Sequence, residues 1–186
     1  MKSIIHRSYE DKYMALYEFE GKRPSVGAGS FIPETADVIG DVTIGEKCFI
    51  GVGARIRGDY GTIVIGNRSS VQENVVIHAR DGDRTVVGDN VQLGHGSILH
   101  NCTVKDNAVI GVGAIISDYA VVGDWAIIGE GAVVRGNIPD GAIAVGIPAR
   151  VVGQVSDEQK KEWLYYKDKY AELASVRYPA GFKRIG

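Results

Sequence analysis

The chain has 186 residues, with 21 Lys and Arg against 23 Asp and Glu and a hydrophobic content of 45%. This length suits one domain with a continuous core, and the balanced charge argues against a nucleic-acid-binding surface. No apolar run approaches the roughly 18–20 residues of a membrane span. The charged first residues lack the apolar stretch of a secretory signal, so we expect a cytoplasmic protein that does not enter the membrane.

Residues 1–30 are predicted to form a lead-in segment that brings the chain onto the main domain. Pro24 and several glycines between Gly21 and Ser30 mark turns. His6 lies in this polar segment, and we do not expect it to belong to a functional site.

An aliphatic residue returns about every six positions through residues 31–152, which we predict to be one domain. A period of six fits neither an α-helix nor an alternating strand and is typical of a parallel β-helix built from hexapeptide repeats. Three hexads form a triangular coil, and successive coils lie about 4.8 Å apart. We call the aliphatic positions slots. They are Val38, Ile44, Ile50, Ile56, Ile65, Val71, Ile77, Val87, Leu93, Leu99, Val104, Ile110, Ile116, Val122, Ile128 and Val134.

Glycine often follows a slot, as at Gly51 and Gly94. Such a glycine is expected where a side chain would crowd the corner or where φ must be positive. The period also breaks in three places. Three extra residues after Ile56 and four after Ile77 predict loops, and one residue missing after Leu99 predicts a tightened corner.

The remaining segment, residues 153–186, is predicted to be a helix that packs on the β-helix. Gly146–Arg150 closes the last coil, and Ser156 with Gln159 forms a capping box. An aromatic stripe at helical spacing is expected to be the packing face; its members are Trp163, Tyr166, Tyr170 and Leu173. The predicted fold is therefore an all-β solenoid with a C-terminal α-helix.

The two cysteines are not expected to form a disulfide. Cys48 occupies a small-residue position of the repeat, where packing explains it. Cys102 lies between two slots beside His100, and the sequence contains no CxxC pair.

His78 and His100 each follow a slot of the same face, so they occupy equivalent positions in adjacent coils. Two imidazoles in that register can reach one metal ion with bonds of about 2.0–2.1 Å. His95 lies five residues before His100, and the register of another column places Glu73 beneath it. Imidazole ligands alone do not select the metal, so Zn²⁺, Fe²⁺ and Co²⁺ are all candidates, with Zn²⁺ preferred.

The segments Arg57-Gly58-Asp59, Val71–His78 and Gly94–His100 resemble the γ-class carbonic anhydrase family. The likeness extends over nearly the whole chain. It implies a left-handed β-helix that assembles as a homotrimer, with a metal ion at each subunit interface. His78 and His100 would then come from one chain and His95 from its neighbour. The implied activity is reversible hydration of CO₂ to bicarbonate by a metal-bound hydroxide.

The resemblance also implies roles for residues around the metal ligands. Gln72 would hydrogen-bond the metal-bound water, and Arg57, Asp59 and Glu73 would belong to an interface ion-pair network beside the site. Tyr170 would match a late tyrosine that approaches the metal pocket.

Two departures from the family pattern stand against fast CO₂ hydration. Glu73 replaces the usual aspartate, and Tyr60 stands where the active archetype has a proton-shuttling acid. Only Asp81 or Asp83, in the short insert after His78, could substitute for that acid. A metal site can therefore persist while rapid turnover does not.

Two other functions remain open on the same scaffold. One is an acyltransferase or thioesterase acting on coenzyme A esters, which needs a single histidine as general base. The Gly-Xaa-Pro-Ala ending at Gly146–Ala149 is shared with hexapeptide acyltransferases. The other is a non-catalytic trimeric scaffold that binds metal.

Overall fold

In the computed structural model, which describes residues 15–186, the chain is a left-handed parallel β-helix of about seven turns followed by a C-terminal helix. His6 lies outside the described residues. The strands are β1 (Leu16–Tyr17), β2 (Ser25–Val26), β3 (Asp37–Ile44), β4 (Phe49–Ile50), β5 (Arg55–Ile65), β6 (Ser70–Val71), β7 (Val76–His78), β8 (Arg84–Val87), β9 (Gln92–Leu93), β10 (Ile98–His100), β11 (Thr103–Val104), β12 (Val109–Ile110), β13 (Ile115–Ile116), β14 (Val121–Val122), β15 (Ile127–Ile128), β16 (Val133–Val134), β17 (Ala142–Val145) and β18 (Arg150–Gln154). Helix α1 (Asp157–Glu172) continues through a π-helical turn (Leu173–Arg177) into α2 (Tyr178–Gly181).

The slot residues form the core, as the repeat predicts. Each of the sixteen has at most 2% of its surface exposed. Backbone pairing stacks them in three columns, one on each face of the triangular coil. The first column is Val38, Ile56, Ile77, Leu99, Ile116 and Val134. Burying one such side chain contributes roughly 1.5–3 kcal/mol, so the columns are a large stabilising contribution to the fold.

The three breaks in the period have different structural outcomes. The extra residues after Ile56 bulge out of the pairing between β3 and β5, as predicted, although they belong to strand β5 rather than to a separate loop. The long strand β5 absorbs them, and its pairing with β3 shifts register between Gly40 and Val42. The second insertion is a turn between β7 and β8, as predicted. At the third break Asn101 is buried with φ of 44°, which tightens the corner beside His100.

Crowding, rather than positive φ, explains the glycines that follow the slots. A Cβ on Gly51 would lie 2.6 Å from the backbone nitrogen of Glu73, and one on Gly94 would lie 2.7 Å from the carbonyl oxygen of Ile110. Positive φ falls instead on the residue three positions after a slot, as at Asn74 with φ of 60°. The close approach of adjacent coils therefore selects glycine at the first corner position.

The ends of the solenoid are covered by the chain itself. At one end β1 and β2 pair with β3. At the other end β17 pairs parallel to β15, and β18 then returns antiparallel to β17. Gly146–Arg150 makes that reversal, which closes the last coil as predicted. None of the helices in residues 15–186 is long and apolar enough to cross a membrane.

Helix α1 begins with the predicted capping box. The Ser156 hydroxyl accepts a hydrogen bond from the Gln159 backbone at 3.2 Å, and the Gln159 side chain accepts one from the Ser156 backbone at 2.9 Å. The packing face is only partly the predicted aromatic stripe, because Tyr166 is 45% exposed. Tyr170 packs on Phe49 with ring centroids 5.3 Å apart. The buried residues of this face are Lys167, Ala171 and Ala174.

Lys167, which is only 2% exposed, docks the helix onto the solenoid through its amine. Its Nζ lies 4.7 Å from the centroid of the Trp125 ring and donates to the carbonyl oxygen of Asn107. Burial lowers the pKa of Lys167 to about 8, and the Asp124 carboxylate only partly opposes this change. The folded protein therefore releases this proton more readily than the unfolded chain does.

We expect the stability of the protein to rise as the pH increases from about 8 to 10.5, the ordinary pKa of lysine. In that window the unfolded chain keeps the Lys167 proton and the folded protein does not, so raising the pH favours folding. The full effect is roughly 3 kcal/mol. Urea unfolding of the wild type and of Lys167→Met at pH 7.5 and pH 10 measures it. An equal pH dependence in both proteins would contradict the assignment.

Candidate functional site at two corners of the solenoid

The histidine pair forms where the sequence register predicts it. His78 ends β7 and His100 ends β10, and the two residues are direct partners in the parallel pairing. Nδ1 of His78 lies 3.2 Å from Nε2 of His100. Both rings are partly buried at the corner that follows the first face, where their positions are fixed by the buried slots Ile77 and Leu99.

Arg57 and Asp59 support His78 from the strand below it. Arg57 pairs with His78 in register, and its guanidinium lies 2.5 Å from the Asp59 carboxylate. Asp59 also lies 3.1 Å from Nε2 of His78. Burial opposes ionisation of Asp59, but hydrogen bonds from Arg57 and His78 outweigh it and hold its pKa below the usual range.

These contacts act on both the pKa and the tautomer of His78. Burial lowers the pKa of His78, and the Arg57 charge lowers it further. The neutral ring keeps its hydrogen on Nε2, because the Asp59 carboxylate can only accept. The Nδ1 lone pair of His78 is therefore directed toward His100.

Two residues beside His100 were not among the predicted site residues. Asp118 hydrogen-bonds Nδ1 of His100 with one carboxylate oxygen, and its other oxygen lies 2.5 Å from the Arg80 guanidinium. The His100 hydrogen bond and the Arg80 charge lower the pKa of Asp118. The sequence offered only a weak indication that Asp118 contacts His100, because Asp118 follows Ser117, which shares the column of His100. Counting in hexads does not show how far a side chain reaches toward the next coil. We call Arg57, Asp59, His78, Arg80, His100 and Asp118 the pair corner.

The pair corner fits part of a metal site. In a tetrahedral site with Zn–N bonds of about 2.0–2.1 Å, two ligand nitrogens lie roughly 3.3 Å apart. The ring nitrogens of His78 and His100 are 3.2 Å apart, close to that separation. Within residues 15–186 of a single chain, however, no group of three His, Cys, Asp or Glu residues could hold a metal ion. The chain alone offers two imidazole ligands.

The other predicted residues gather at the corner that follows the third face, which carries the slots Ile50, Val71, Leu93, Ile110 and Ile128. His95 Nδ1 lies 2.6 Å from Glu73, directly above it as the register predicts, and the His95 side chain is 51% exposed. Gln72 is buried beside Tyr170. Burial raises the pKa of the Tyr170 phenol, and the Glu73 charge raises it further. We call Gln72, Glu73, His95 and Tyr170 the second corner.

The fold separates the predicted site residues into two sets within one chain. Each corner borders the first face, the pair corner on one edge and the second corner on the other, because the chain passes from the third face to the first. Arg57 contacts Asp59 and Glu73 contacts His95, so the expected ion-pair network is divided as well.

The acids of the insert do not contact the histidines directly. Asp83 accepts a hydrogen bond from the Tyr119 hydroxyl at 2.9 Å, and Tyr60 is 61% exposed.

The cysteines are free, and burial raises the pKa of Cys48 to about 11 and that of Cys102 to about 12. Neither thiol is a nucleophile at neutral pH.

Known proteins resemble this chain in both sequence and fold. No family model matches the sequence. The carnitine operon protein CaiE of Salmonella typhimurium is 37% identical over 164 residues, covering 87% of this chain and 82% of CaiE. A crystal structure from Bacillus cereus, provisionally described as an acetyltransferase, is 34% identical with a TM-score of 0.86, covering 89% of this chain and 96% of that one. A hexapeptide transferase family protein from Anaplasma phagocytophilum is 32% identical with a TM-score of 0.82, covering 86% and 96%.

The hexad period, the three buried columns and the terminal helix define a hexapeptide-repeat β-helix protein. The chain belongs to the hexapeptide-repeat family that includes CaiE. None of these three relatives is described as a carbonic anhydrase, and two carry transferase descriptions.

Proposed function

We propose that this protein is an acyl-transfer enzyme, moving an acyl group from a coenzyme A thioester to water or to a small hydroxyl or amine acceptor. The observation that carries the proposal is the His78–His100 pair, whose facing ring nitrogens lie 3.2 Å apart at a partly exposed corner. The transferase descriptions of the Bacillus cereus and Anaplasma phagocytophilum structures support the same chemistry.

The histidine pair would serve as the general base. Because burial and the Arg57 charge lower the pKa of His78, its ring is neutral at pH 7 and can accept a proton. The acceptor loses its proton to the pair as it forms a bond to the thioester carbonyl carbon. The carbon–sulfur bond then breaks, and the departing thiolate recovers the proton as free coenzyme A.

We further propose a cyclic trimer in which the pair corner of one subunit meets the second corner of the next. The third face is covered by helix α1, whereas the first face, between the two corners, exposes a ladder of aliphatic residues. Val76, Ile98 and Ile115 on that ladder are 36–40% exposed. A contact between different corners is heterologous, and such contacts close into a ring when the rotation between neighbouring subunits is a whole fraction of a turn. Gln72 and His95 of one copy would then orient the acceptor beside the pair of another.

CO₂ hydration is the second candidate, and the spacing of the two ring nitrogens favours it. A divalent cation, with Zn²⁺ preferred over Fe²⁺ or Co²⁺, would be held by Nδ1 of His78, Nε2 of His100 and His95 from a second copy. The ion would supply Lewis acidity that lowers the pKa of a bound water to about 7. Gln72 would orient that water, while Arg57, Asp59 and Glu73 would keep the imidazoles in place. Tyr60 leaves the proton-shuttle position without an acid.

One set of assays separates the candidates. Release of coenzyme A thiol from acetyl-CoA, with and without amine acceptors, is measured beside stopped-flow CO₂ hydration, each after chelation and after adding Zn²⁺. We expect thiol release that survives chelation and that His100→Ala abolishes. Metal-dependent CO₂ hydration without thiol release would replace this proposal with the second candidate. A trimer that binds Zn²⁺ but has neither activity would indicate a metal-binding scaffold and contradict both.

Subunit mixing tests whether the site is shared. His95→Ala and His100→Ala chains are unfolded together, refolded and assayed. Each interface in a random trimer has about a one-in-four chance of combining an intact His100 with an intact His95. Activity recovered toward that fraction supports a shared site. If the mixture is no more active than its components, while the trimer sediments normally, the two corners do not work together.

A further inference from the structure

The pair corner is built as two matching arms that meet at the histidines. One arm runs from Arg57 through Asp59 to Nε2 of His78. The other runs from Arg80 through Asp118 to Nδ1 of His100. Each imidazole is backed by a carboxylate, and each carboxylate by an arginine. Only the first arm follows from the sequence resemblance.

We propose that Asp118 is the positioning residue of His100, fixing which ring nitrogen faces His78, and that Arg80 holds Asp118 in place. The inference rests on the proposed role of the histidine pair. Because a carboxylate can only accept, the neutral His100 ring keeps its hydrogen on Nδ1. Its Nε2 lone pair is then directed toward His78.

The two arms together place two lone pairs opposite each other. Nδ1 of His78 and Nε2 of His100 are 3.2 Å apart, and neither carries a hydrogen when both rings are neutral. Two facing acceptors repel unless a positive charge lies between them. Asp59 and Asp118 together therefore hold the two rings in the tautomers whose lone pairs face each other.

The backbone fixes Asp118 above His100. The next residue, Tyr119, donates its backbone hydrogen to the carbonyl oxygen of Asn101 at 2.7 Å. The Asn101 side chain in turn accepts from the backbone of Arg80 at 2.8 Å. Three successive coils are thus joined at this corner, and Arg80 enters from the insert that follows His78. The insert is a structural part of the site rather than a spacer.

The test compares Asp118→Ala, Asp118→Asn and Arg80→Gln with the exposed control Asp140→Ala. Nitrogen-15 NMR of the imidazoles at pH 8 reports the tautomer without any substrate. We expect the wild-type His100 to carry its hydrogen on Nδ1 and Asp118→Ala to populate the other tautomer. Asparagine would direct its oxygen toward the Arg80 guanidinium, which can only donate, and its amide toward Nδ1 of His100, so Asp118→Asn should also populate the other tautomer, whereas Arg80→Gln should disturb the wild-type tautomer least.

Turnover and metal binding give independent readouts. Loss of the partner that orients a histidine typically lowers activity or metal affinity 10–100-fold. We expect Asp118→Ala to lower kcat and Zn²⁺ affinity by that factor with little change in KM, and Asp140→Ala to leave both unchanged. If acyl transfer itself fails, the NMR and Zn²⁺ results still decide the role of Asp118. An unchanged tautomer with turnover within twofold of wild type would overturn it.

Discussion

Replacing His100 by alanine is expected to lower the rate of acyl transfer from acetyl-CoA by 100-fold or more. Loss of a positioned general base typically costs 10²–10⁴ in rate. Asp118 orients the His100 ring, so that Nε2 of His100 faces His78. Replacing His100 therefore removes the whole histidine pair and not a single contact. Steady-state kinetics with acetyl-CoA and the best acceptor found for the wild type measure the loss.

Two further variants define what the loss means. Lys105 follows the slot Val104 as His100 follows Leu99, so Lys105→Ala is a matched change at the next corner and should keep wild-type kinetics. Residues that act as a unit are strongly non-additive. The double variant His78→Ala/His100→Ala should therefore be no slower than the worse single variant. A His100→Ala protein with more than a tenth of wild-type activity would show that the pair is not the base.

The register of the histidine pair could be predicted because one rule controls it. Every slot side chain must point inward, so counting in sixes fixes which residues share a column, and His78 and His100 follow from Ile77 and Leu99. The same count places Glu73 beneath His95. The fold and these contacts are consequences of burial, which a single sequence displays directly.

Contacts made by long side chains across coils could not be predicted in this way. Asp118 lies one position past the column of His100 and reaches it by its side chain, and Arg80 comes from an insert that the hexad does not number. The packing role of Lys167 could not be predicted for a related reason. The aromatic spacing suggested a packing face through Tyr166, but the lysine amine finds a carbonyl and an indole ring on the solenoid and turns the helix toward them.

The separation of the two corners follows from topology rather than from any residue. A triangular coil keeps residues after the first face apart from residues after the third, whatever their identity. The sequence resemblance implied a second chain, and within one chain Gln72 and His95 lie at a different corner from the histidine pair. The trimer itself remains a proposal that the mixing experiment tests.

Replacing Leu99 by alanine is expected to destabilise the protein by about 2–5 kcal/mol, the range for large-to-small changes in a closed core. Leu99 has no exposed surface and lies between Ile77 and Ile116 in the first column. Adjacent coils cannot close the cavity, because backbone hydrogen bonds on both sides hold them one strand spacing apart. Urea unfolding at one fixed protein concentration measures the change.

Leu164→Ala provides the same chemical change at a site that is 42% exposed on helix α1. Exposed substitutions of this kind usually change stability by less than about 0.5 kcal/mol. Because His100 is the next residue after Leu99, the core defect should also loosen the histidine pair. We therefore expect faster amide exchange along β7, β10 and β13 in Leu99→Ala but not in Leu164→Ala. Equal losses of stability in the two variants would show that the buried columns do not stabilise the fold. The register that aligns His78 with His100 would then have no physical basis in burial.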